Sequence, residues 1–190
     1  MDKILDFNIA SSSDISKAFT ERGIVTFNEA CAFVRQLKYG RNADKDNLFT
    51  VFSDNCGTCS TKHALLSQLA LDNGYTDLKL MVGMYKMHAI NTPKIGTILT
   101  DCGLDYLPEA HCYLRFNNDL MDFTMDTADT IDFQGDIMEE VEITPSQIDT
   151  FKVHYHKDFL KEWLSQHPEI HYSLEELWLI RENCIRALGS

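Results

Sequence analysis

The stretch Asp54–Leu66, DNCGTCSTKHALL, carries two cysteines, Cys56 and Cys59, with two residues between them. From Cys59 onward the apolar residues keep helical spacing, and Gly74 is typical of the position just after a helix. The sequence therefore predicts a helix over residues 59–72 that begins at a cysteine. The backbone N–H groups at the start of a helix stabilise a thiolate, so Cys59 is a candidate nucleophile.

The composition of the 190-residue chain fits one globular domain, which we expect over residues 1–190. The formal charge of −12, from 17 basic and 29 acidic residues, argues against binding to nucleic acid, because phosphate contacts need clustered Lys and Arg. No apolar run is long enough for a signal peptide or a membrane span, so we expect a cytoplasmic protein that does not bind membranes. The six cysteines would then be reduced thiols.

The order of the predicted elements indicates an α+β fold. Helical patterns with polar starts and glycine stops precede the quoted stretch, at residues 11–23 and 28–40. Alternating patterns follow it and predict a mostly antiparallel sheet, at residues 78–90, 110–116, 120–124, 138–143 and 150–155. Residues 144–147, TPSQ, have the form of a helix start, and a C-terminal helical extension is predicted over about residues 156–188.

Two of the predicted strands flank Asn117 and Asn118, which tolerate the left-handed conformation of a tight hairpin turn. Such a turn places Phe116 opposite Asp119 and puts the side chains of His111 and Asp122 on the same face of the sheet. A thiolate nucleophile needs an imidazole as its base, and the imidazole needs an acceptor that orients it. Cys59, His111 and Asp122 are therefore the candidate catalytic residues. Gly57 is expected to allow a tight turn just before the nucleophile.

The two neighbouring cysteines also fit a redox dithiol or half of a zinc site, completed by His63, Cys102, His111 or Cys112. A thioredoxin-like dithiol follows a βαβ pattern that is not found here, and a structural zinc site usually has two compact ligand pairs. We favour a single nucleophile and expect neither a metal nor a cofactor.

The remaining cysteines and histidines are assigned structural roles. Buried positions are predicted for Cys31, Cys112 and Cys184. A local hydrogen-bonding role is favoured for His63, one helical turn after Cys59. His88 ends a strand with no clear partner. Surface or helix-cap positions are predicted for His154, His156, His167 and His171.

Three segments together resemble the transglutaminase-like superfamily of cysteine enzymes: residues 57–74 (GTCSTKHALLSQLALDNG), residues 109–114 (EAHCYL) and residues 120–124 (LMDFT). That superfamily has a Gly-x-Cys turn entering a helix, a His in a following strand and an Asp in the next strand, often as Asp-x-Thr. The resemblance covers about residues 39–124. It departs from the pattern at Tyr113, where the superfamily often has Trp, and at Phe123, where Pro is frequent.

The resemblance implies a papain-like core in which the helix of the nucleophile packs on an antiparallel sheet. It implies that Cys59 is the nucleophile, that His111 is the general base and acid, and that Asp122 orients His111. The implied activity is hydrolysis or acyl transfer at an amide of a protein or peptide-like substrate, through a thioester. Asn55 and Tyr39 are candidates for a second oxyanion donor beside the backbone N–H of Cys59.

Besides a redox or zinc-binding protein that uses Cys56 and Cys59, two further alternatives to this enzyme stay open from the sequence. The first is a non-enzymatic interaction module on the same fold, with the aromatic residues of segment 159–178 as its binding face. The helical spacing of Trp163, Leu164, Leu174, Leu177 and Trp178 favours packing on the core instead. The second is an acyl carrier similar to arylamine acetyltransferases, whose arginine- and glycine-rich approach to the cysteine is absent here. Hydrolysis is favoured over transamidation, because the sequence contains no acidic calcium loop of the EF-hand type.

Overall fold

The computed structural model describes residues 5–126 and 132–189, which form seven α-helices and six strands. The helices are α1 (Asp14–Thr20), α2 (Phe27–Gln36), α3 (Thr50–Ser53), α4 (Cys59–Asp72), α5 (Ile98–Asp101), α6 (Thr150–Gln166) and α7 (Leu174–Leu188). The strands are β1 (Lys38–Tyr39), β2 (Cys56–Gly57), β3 (Lys79–Met87), β4 (Leu107–Phe116), β5 (Asp119–Met121) and β6 (Ile137–Ile143). None of the helices described is both long and apolar enough to cross a membrane.

Four strands form one antiparallel sheet in the order β5–β4–β3–β6, and β1 pairs in parallel with β2. The predicted α+β class is therefore confirmed. The hairpin turn is also as predicted, since Asn117 and Asn118 have φ values of 50° and 73° and Phe116 pairs with Asp119. Strand β5, the second strand of this hairpin, is shorter than the predicted strand over residues 120–124. It ends at Met121, so Asp122 lies just beyond the ladder instead of within it.

Backbone contacts divide the chain into two compact units. Unit 1 takes the described residues of Met1–Met81, Cys112–Thr130 and Glu142–Ile148, and unit 2 takes those of Val82–His111, Ile131–Val141 and Asp149–Ser190. The single domain expected over residues 1–190 stays a prediction.

Helix α4 is the centre of unit 1, where α1 and α2 pack against it. It is buried on nearly all sides: Leu65, Leu66 and Leu69 are fully inaccessible, and so are Lys62 and His63. A helix surrounded in this way shows no amphipathic pattern, because every face meets protein. Its buried polar side chains need hydrogen-bond partners inside the fold, since leaving them unpaired would cost several kcal/mol.

The strand predicted at residues 150–155 is instead the first part of α6, and this prediction was wrong. Phe151 and Tyr155 imitate strand alternation, but in the helix they stack on each other with their ring centroids 6.2 Å apart. Every buried position of α6 falls at helical spacing: Lys152, His156, Leu160 and Trp163. Because the first two are polar, the buried face does not read as apolar in the sequence.

In unit 2, the C-terminal helices are tied to the first half of β4. Arg181 of α7 makes a bidentate ion pair with Glu109, with N–O distances of 2.7 and 2.8 Å. His156 of α6 donates from Nε2 to the carbonyl of Pro108 at 2.9 Å.

Trp163 is buried and donates from its indole N–H to the Tyr106 hydroxyl at 2.9 Å. The aromatic residues Trp163 and Trp178 thus contribute to unit 2 packing, as the helical spacing predicted.

Candidate active site

Cys59 is the first residue of α4, and the turn before it is held by side-chain hydrogen bonds. The N–H of Thr58 donates to the hydroxyl of Thr61 at 3.0 Å, and that hydroxyl donates to Asn42 Oδ1 at 2.7 Å. Asn42 in turn donates to the carbonyl of Cys56 at 2.9 Å. Cys59 as a whole is 7% exposed, so the candidate nucleophile is a buried residue.

Gly57 is needed for space and not for its backbone freedom, which corrects the expectation of a tight turn. Its φ lies outside the left-handed region. A Cβ at this position would lie 2.9 Å from Lys62 Cγ and 3.0 Å from Thr61 Oγ1. Contacts that short force the neighbouring atoms to move, so the glycine of the Gly-x-Cys turn makes room for the Lys62 stem.

Lys62, one turn after Cys59, carries a buried ammonium group that no sequence pattern indicated as part of the site. Its Nζ donates to the carbonyl of Leu37 at 2.5 Å and to that of Thr124 at 2.7 Å. Burial lowers the pKa of Lys62 to about 8, against the opposing effect of negative charge at Asp122, Cys56 and Cys59. The nearest sequence signal was a lysine in a helix whose apolar residues predicted burial. Its partners lie 25 and 62 residues away, so no local pattern could identify them.

Asp122 begins a side-chain-stabilised turn. Its Oδ1 accepts the N–H of Thr124 at 2.8 Å and also the Thr124 hydroxyl, the arrangement of an Asx turn. The Asp122 side chain is only 9% exposed. The Asp-x-Thr pattern therefore fixes one carboxylate oxygen on the backbone, which limits the orientations that the carboxylate can adopt.

His63 is fully buried and serves the backbone with both ring nitrogens, in agreement with its predicted local role. Nδ1 lies 2.8 Å from the carbonyl of Cys59, and Nε2 accepts the N–H of Phe123 at 2.7 Å. A carbonyl can only accept, so the proton of the neutral ring is assigned to Nδ1. Asp122 Oδ1 is 3.4 Å from Nε2, but this nitrogen acts as an acceptor and the contact is not an ion pair. His63 links the start of α4 to the Asp122 turn.

His111 lies on β4 in unit 2 and is 4% exposed. Within that unit its ring meets the edge of Phe133, with centroids 4.5 Å apart, and lies 6.0 Å from Tyr85. Both aromatic side chains are buried. They confine the imidazole, and no sequence pattern indicated Phe133 as a neighbour of His111.

The other cysteines differ from Cys59 in their surroundings. Burial raises the pKa of Cys31 far above its ordinary value and that of Cys184 to about 12. Burial and the Asp54 carboxylate raise the pKa of Cys56. Cys112 is buried and donates to the Ser60 hydroxyl at 3.6 Å, which places α4 against β4 inside unit 1. No disulfide joins the six cysteines, all of which lie in the described part of the chain.

Two histidine predictions were wrong. His156 was expected at the surface but is 2% exposed, because it serves as a buried donor to Pro108. His88 was expected to lack a partner, but its Nε2 lies 3.3 Å from Asp136 Oδ2 and its N–H donates to Asn91. Pro108 and Asp136 each lie 48 residues away from their histidine in the sequence, where periodicity carries no information.

The two candidate oxyanion donors lie near the turn in unit 1. Tyr39 pairs with Gly57 in the β1–β2 ladder, while Asn55 is exposed with a φ of 52°. Their proposed role stays a prediction. Over residues 5–126 and 132–189, no three His, Cys, Asp or Glu side chains are grouped so as to hold a metal ion.

Unit 1 thus contains Cys59 and Asp122, with the Lys62 ammonium interacting with both, while His111 belongs to unit 2. Comparison with protein-family models, curated proteins and solved structures finds no match for the chain.

Proposed function

We propose that the protein is a cysteine-dependent amide hydrolase or acyltransferase in which Cys59 is the nucleophile, His111 the general base and acid, and Asp122 the residue that orients His111. The observation that carries the proposal is the position of Cys59. It begins a buried helix of 14 residues, and the Lys62 ammonium of the next turn attracts negative charge at its sulfur. Helix start and cation both favour a thiolate.

The proposed reaction starts with transfer of the Cys59 proton to the His111 imidazole. The sulfur attacks the amide carbonyl, and the backbone N–H of Cys59 stabilises the oxyanion. His111 then returns the proton to the leaving amine, and a thioester to Cys59 remains. Water gives hydrolysis and an amine gives transamidation. We favour hydrolysis, because the sequence has no acidic calcium loop of the EF-hand type.

The pairing of Asp122 with His111 is proposed from the hairpin. The observed register pairs Leu114 with Met121 and Phe116 with Asp119, as predicted, and Asp122 follows directly after the last paired residue of β5. The Asx turn to Thr124 holds one oxygen of the Asp122 carboxylate. A carboxylate fixed in this way suits the task of keeping an imidazole in one tautomer.

The same features support the proposal that the core is papain-like and belongs to the transglutaminase-like superfamily. A cysteine starts the central helix, an antiparallel hairpin follows it in sequence, and the Asp-x-Thr turn comes directly after the hairpin. We propose a protein or peptide-like amide as substrate and a cytoplasmic location. We propose no role for nucleic acid, a membrane, a metal or a cofactor in this reaction.

An activated ester tests the proposed function without knowledge of the natural substrate. With p-nitrophenyl acetate we expect a burst of about one p-nitrophenol per chain, the kinetic sign of an acyl-enzyme. Peptide mapping by mass spectrometry should locate the acetyl group on Cys59. Cys59→Ala should abolish the burst, and Cys56→Ser is the matched control that should keep it. Acetylation elsewhere, or a burst that survives Cys59→Ala, would refute the proposal.

A further inference from the structure

We propose that Lys62 is a positioning residue for the Cys59 centre: its buried ammonium holds the segment that follows Asp122 and supplies the positive charge that favours the Cys59 thiolate. This inference rests on the proposed function, because it assigns Lys62 a part in the reactivity of the same cysteine. It adds a residue that is not one of the three catalytic candidates.

Lys62 places a full charge in the interior of unit 1. Lys62 is completely inaccessible to solvent. Transfer of an ammonium group out of water costs several kcal/mol even after relaxation, and an apolar side chain of similar volume often gives equal or better stability. A buried charge that weakens the fold in this way is a candidate for a functional role.

The Lys62 ammonium joins two segments that are distant in the sequence. One hydrogen bond goes to Leu37, the residue just before β1, and the other goes to Thr124, two residues after Asp122. The Thr124 N–H is in turn bound by the Asp122 carboxylate. Lys62 therefore holds the carbonyl of Thr124, and the N–H of the same residue holds the Asp122 carboxylate. The nucleophile helix and the Asp122 turn are connected through a single side chain.

The charge of the Lys62 ammonium also acts on Cys59. Cys59 and Lys62 are three residues apart on one helix, a spacing at which side chains are neighbours. The carboxylate of Asp122 and the sulfurs of Cys56 and Cys59 are the groups whose negative charge stabilises the Lys62 ammonium. This attraction acts in both directions, so the ammonium also favours the negative forms of these groups. Cys56 differs because Asp54 opposes its ionisation.

The experiment measures the rate of Cys59 alkylation by iodoacetamide between pH 5 and pH 10, by peptide mapping, in the full chain. Loss of the cation in Lys62→Met should move the midpoint of the profile upward by about one pH unit, which makes alkylation at pH 6 roughly tenfold slower. Lys79→Met is the matched control, because Lys79 is a partly exposed lysine paired with Glu142 at 3.1 Å. A merely structural Lys62 would leave the midpoint unchanged.

A second variant and a second reagent keep the test decisive if Lys62→Met folds poorly. Lys62→Gln retains an N–H donor for the two carbonyls without the charge, and it should show the same upward movement. In wild-type protein we measure the ratio of two Cys59 alkylation rates, that with anionic iodoacetate divided by that with neutral iodoacetamide. This ratio should be higher below pH 8 and should fall as Lys62, whose pKa is about 8, loses its proton.

The outcomes separate this inference from the proposed function. If Cys59 reacts fast in wild type but its midpoint is the same in Lys62→Gln, or the preference for iodoacetate does not change with pH, the Lys62 role is wrong and the nucleophile stands. If wild-type Cys59 reacts no faster than Cys56, the proposed function fails first. An upward shift of the Cys59 midpoint that occurs only in the Lys62 variants supports both the Lys62 role and the proposed function.

Discussion

Asp122 and Asp119 are two acids of one hairpin that the structure places in different surroundings. Asp119 is exposed on β5, while the Asp122 side chain is mostly buried and bound to Thr124. Asp122→Asn keeps an oxygen acceptor for Thr124, so we expect the fold to persist. If Asp122 orients His111, the amide favours the wrong imidazole tautomer, and turnover should fall by roughly 10⁴-fold.

The control for this change is Asp119→Asn, assayed beside it with the same amide substrate and with circular dichroism of both variants. We expect its activity to remain within a factor of about two, since exposed substitutions are usually within about 0.5 kcal/mol. Equal loss in the two variants, or loss in neither, would remove Asp122 from the mechanism and leave at most a Cys59–His111 pair.

Gly57 and Lys62 should be energetically coupled, because the missing side chain of one makes room for the other. Gly57→Ala places a Cβ 2.9 Å from Lys62 Cγ and should lower the free energy of unfolding by about 1–3 kcal/mol. In a Lys62→Ala background the same change should cost clearly less. Urea unfolding of the four proteins gives the coupling energy. Identical costs in both backgrounds would show that Lys62 does not set the need for glycine.

The ion pair between Arg181 of α7 and Glu109 of β4 should stabilise the fold only while both partners are present. Glu109 is 4% exposed and its bidentate partner Arg181 is itself largely buried. Arg181→Met leaves a buried carboxylate unpaired and should cost about 3–5 kcal/mol in urea unfolding. The double variant Glu109→Gln with Arg181→Met should recover part of this loss. If the double variant is as unstable as the sum of the singles, the pairing is not the cause.

Elements with strong end signals could be predicted from the sequence. Ser13 caps α1, Ser173 and Glu176 form the capping box of α7, and Gly74 follows α4 with a φ of 85°, all as their residue types indicate. The hairpin register followed from the two asparagines in the same way. These signals are local, since each depends on residues within one turn.

The features that were missed depend on contacts between distant segments. The α6 start was read as a strand because its buried face carries Lys152 and His156. In the candidate site, the positions of Cys59 at a helix start and Asp122 beside a hairpin were predictable, but Lys62 was not. Its two carbonyl partners belong to segments far away in sequence, so only the tertiary structure identifies them.

For the whole molecule, the buried histidine of α6 should make the stability depend on pH between neutral and mildly acidic conditions. Burial lowers the pKa of His156 to about 4, and Arg181 and Lys152 also lower it, while Glu109 and the Pro108 carbonyl act in the opposite direction. In the unfolded chain the ordinary value of about 6.5 applies. Between these two values the unfolded state binds more protons, so the free energy of unfolding falls as the pH falls from 6.5 towards 4.

The variant His156→Gln retains an N–H donor for Pro108 but does not titrate, so it isolates this effect. From pH 7 to pH 5 we expect wild type to lose about 2 kcal/mol more than the variant in urea unfolding, because His156 is protonated at pH 5 only in the unfolded chain. Groups that do not interact with His156 contribute equally to both curves, so the difference between the curves reports His156 together with its coupling to Glu109. Parallel curves for the two proteins would mean that His156 is accessible to protons and water in the folded state. A steeper loss in the variant would reverse the assigned sign.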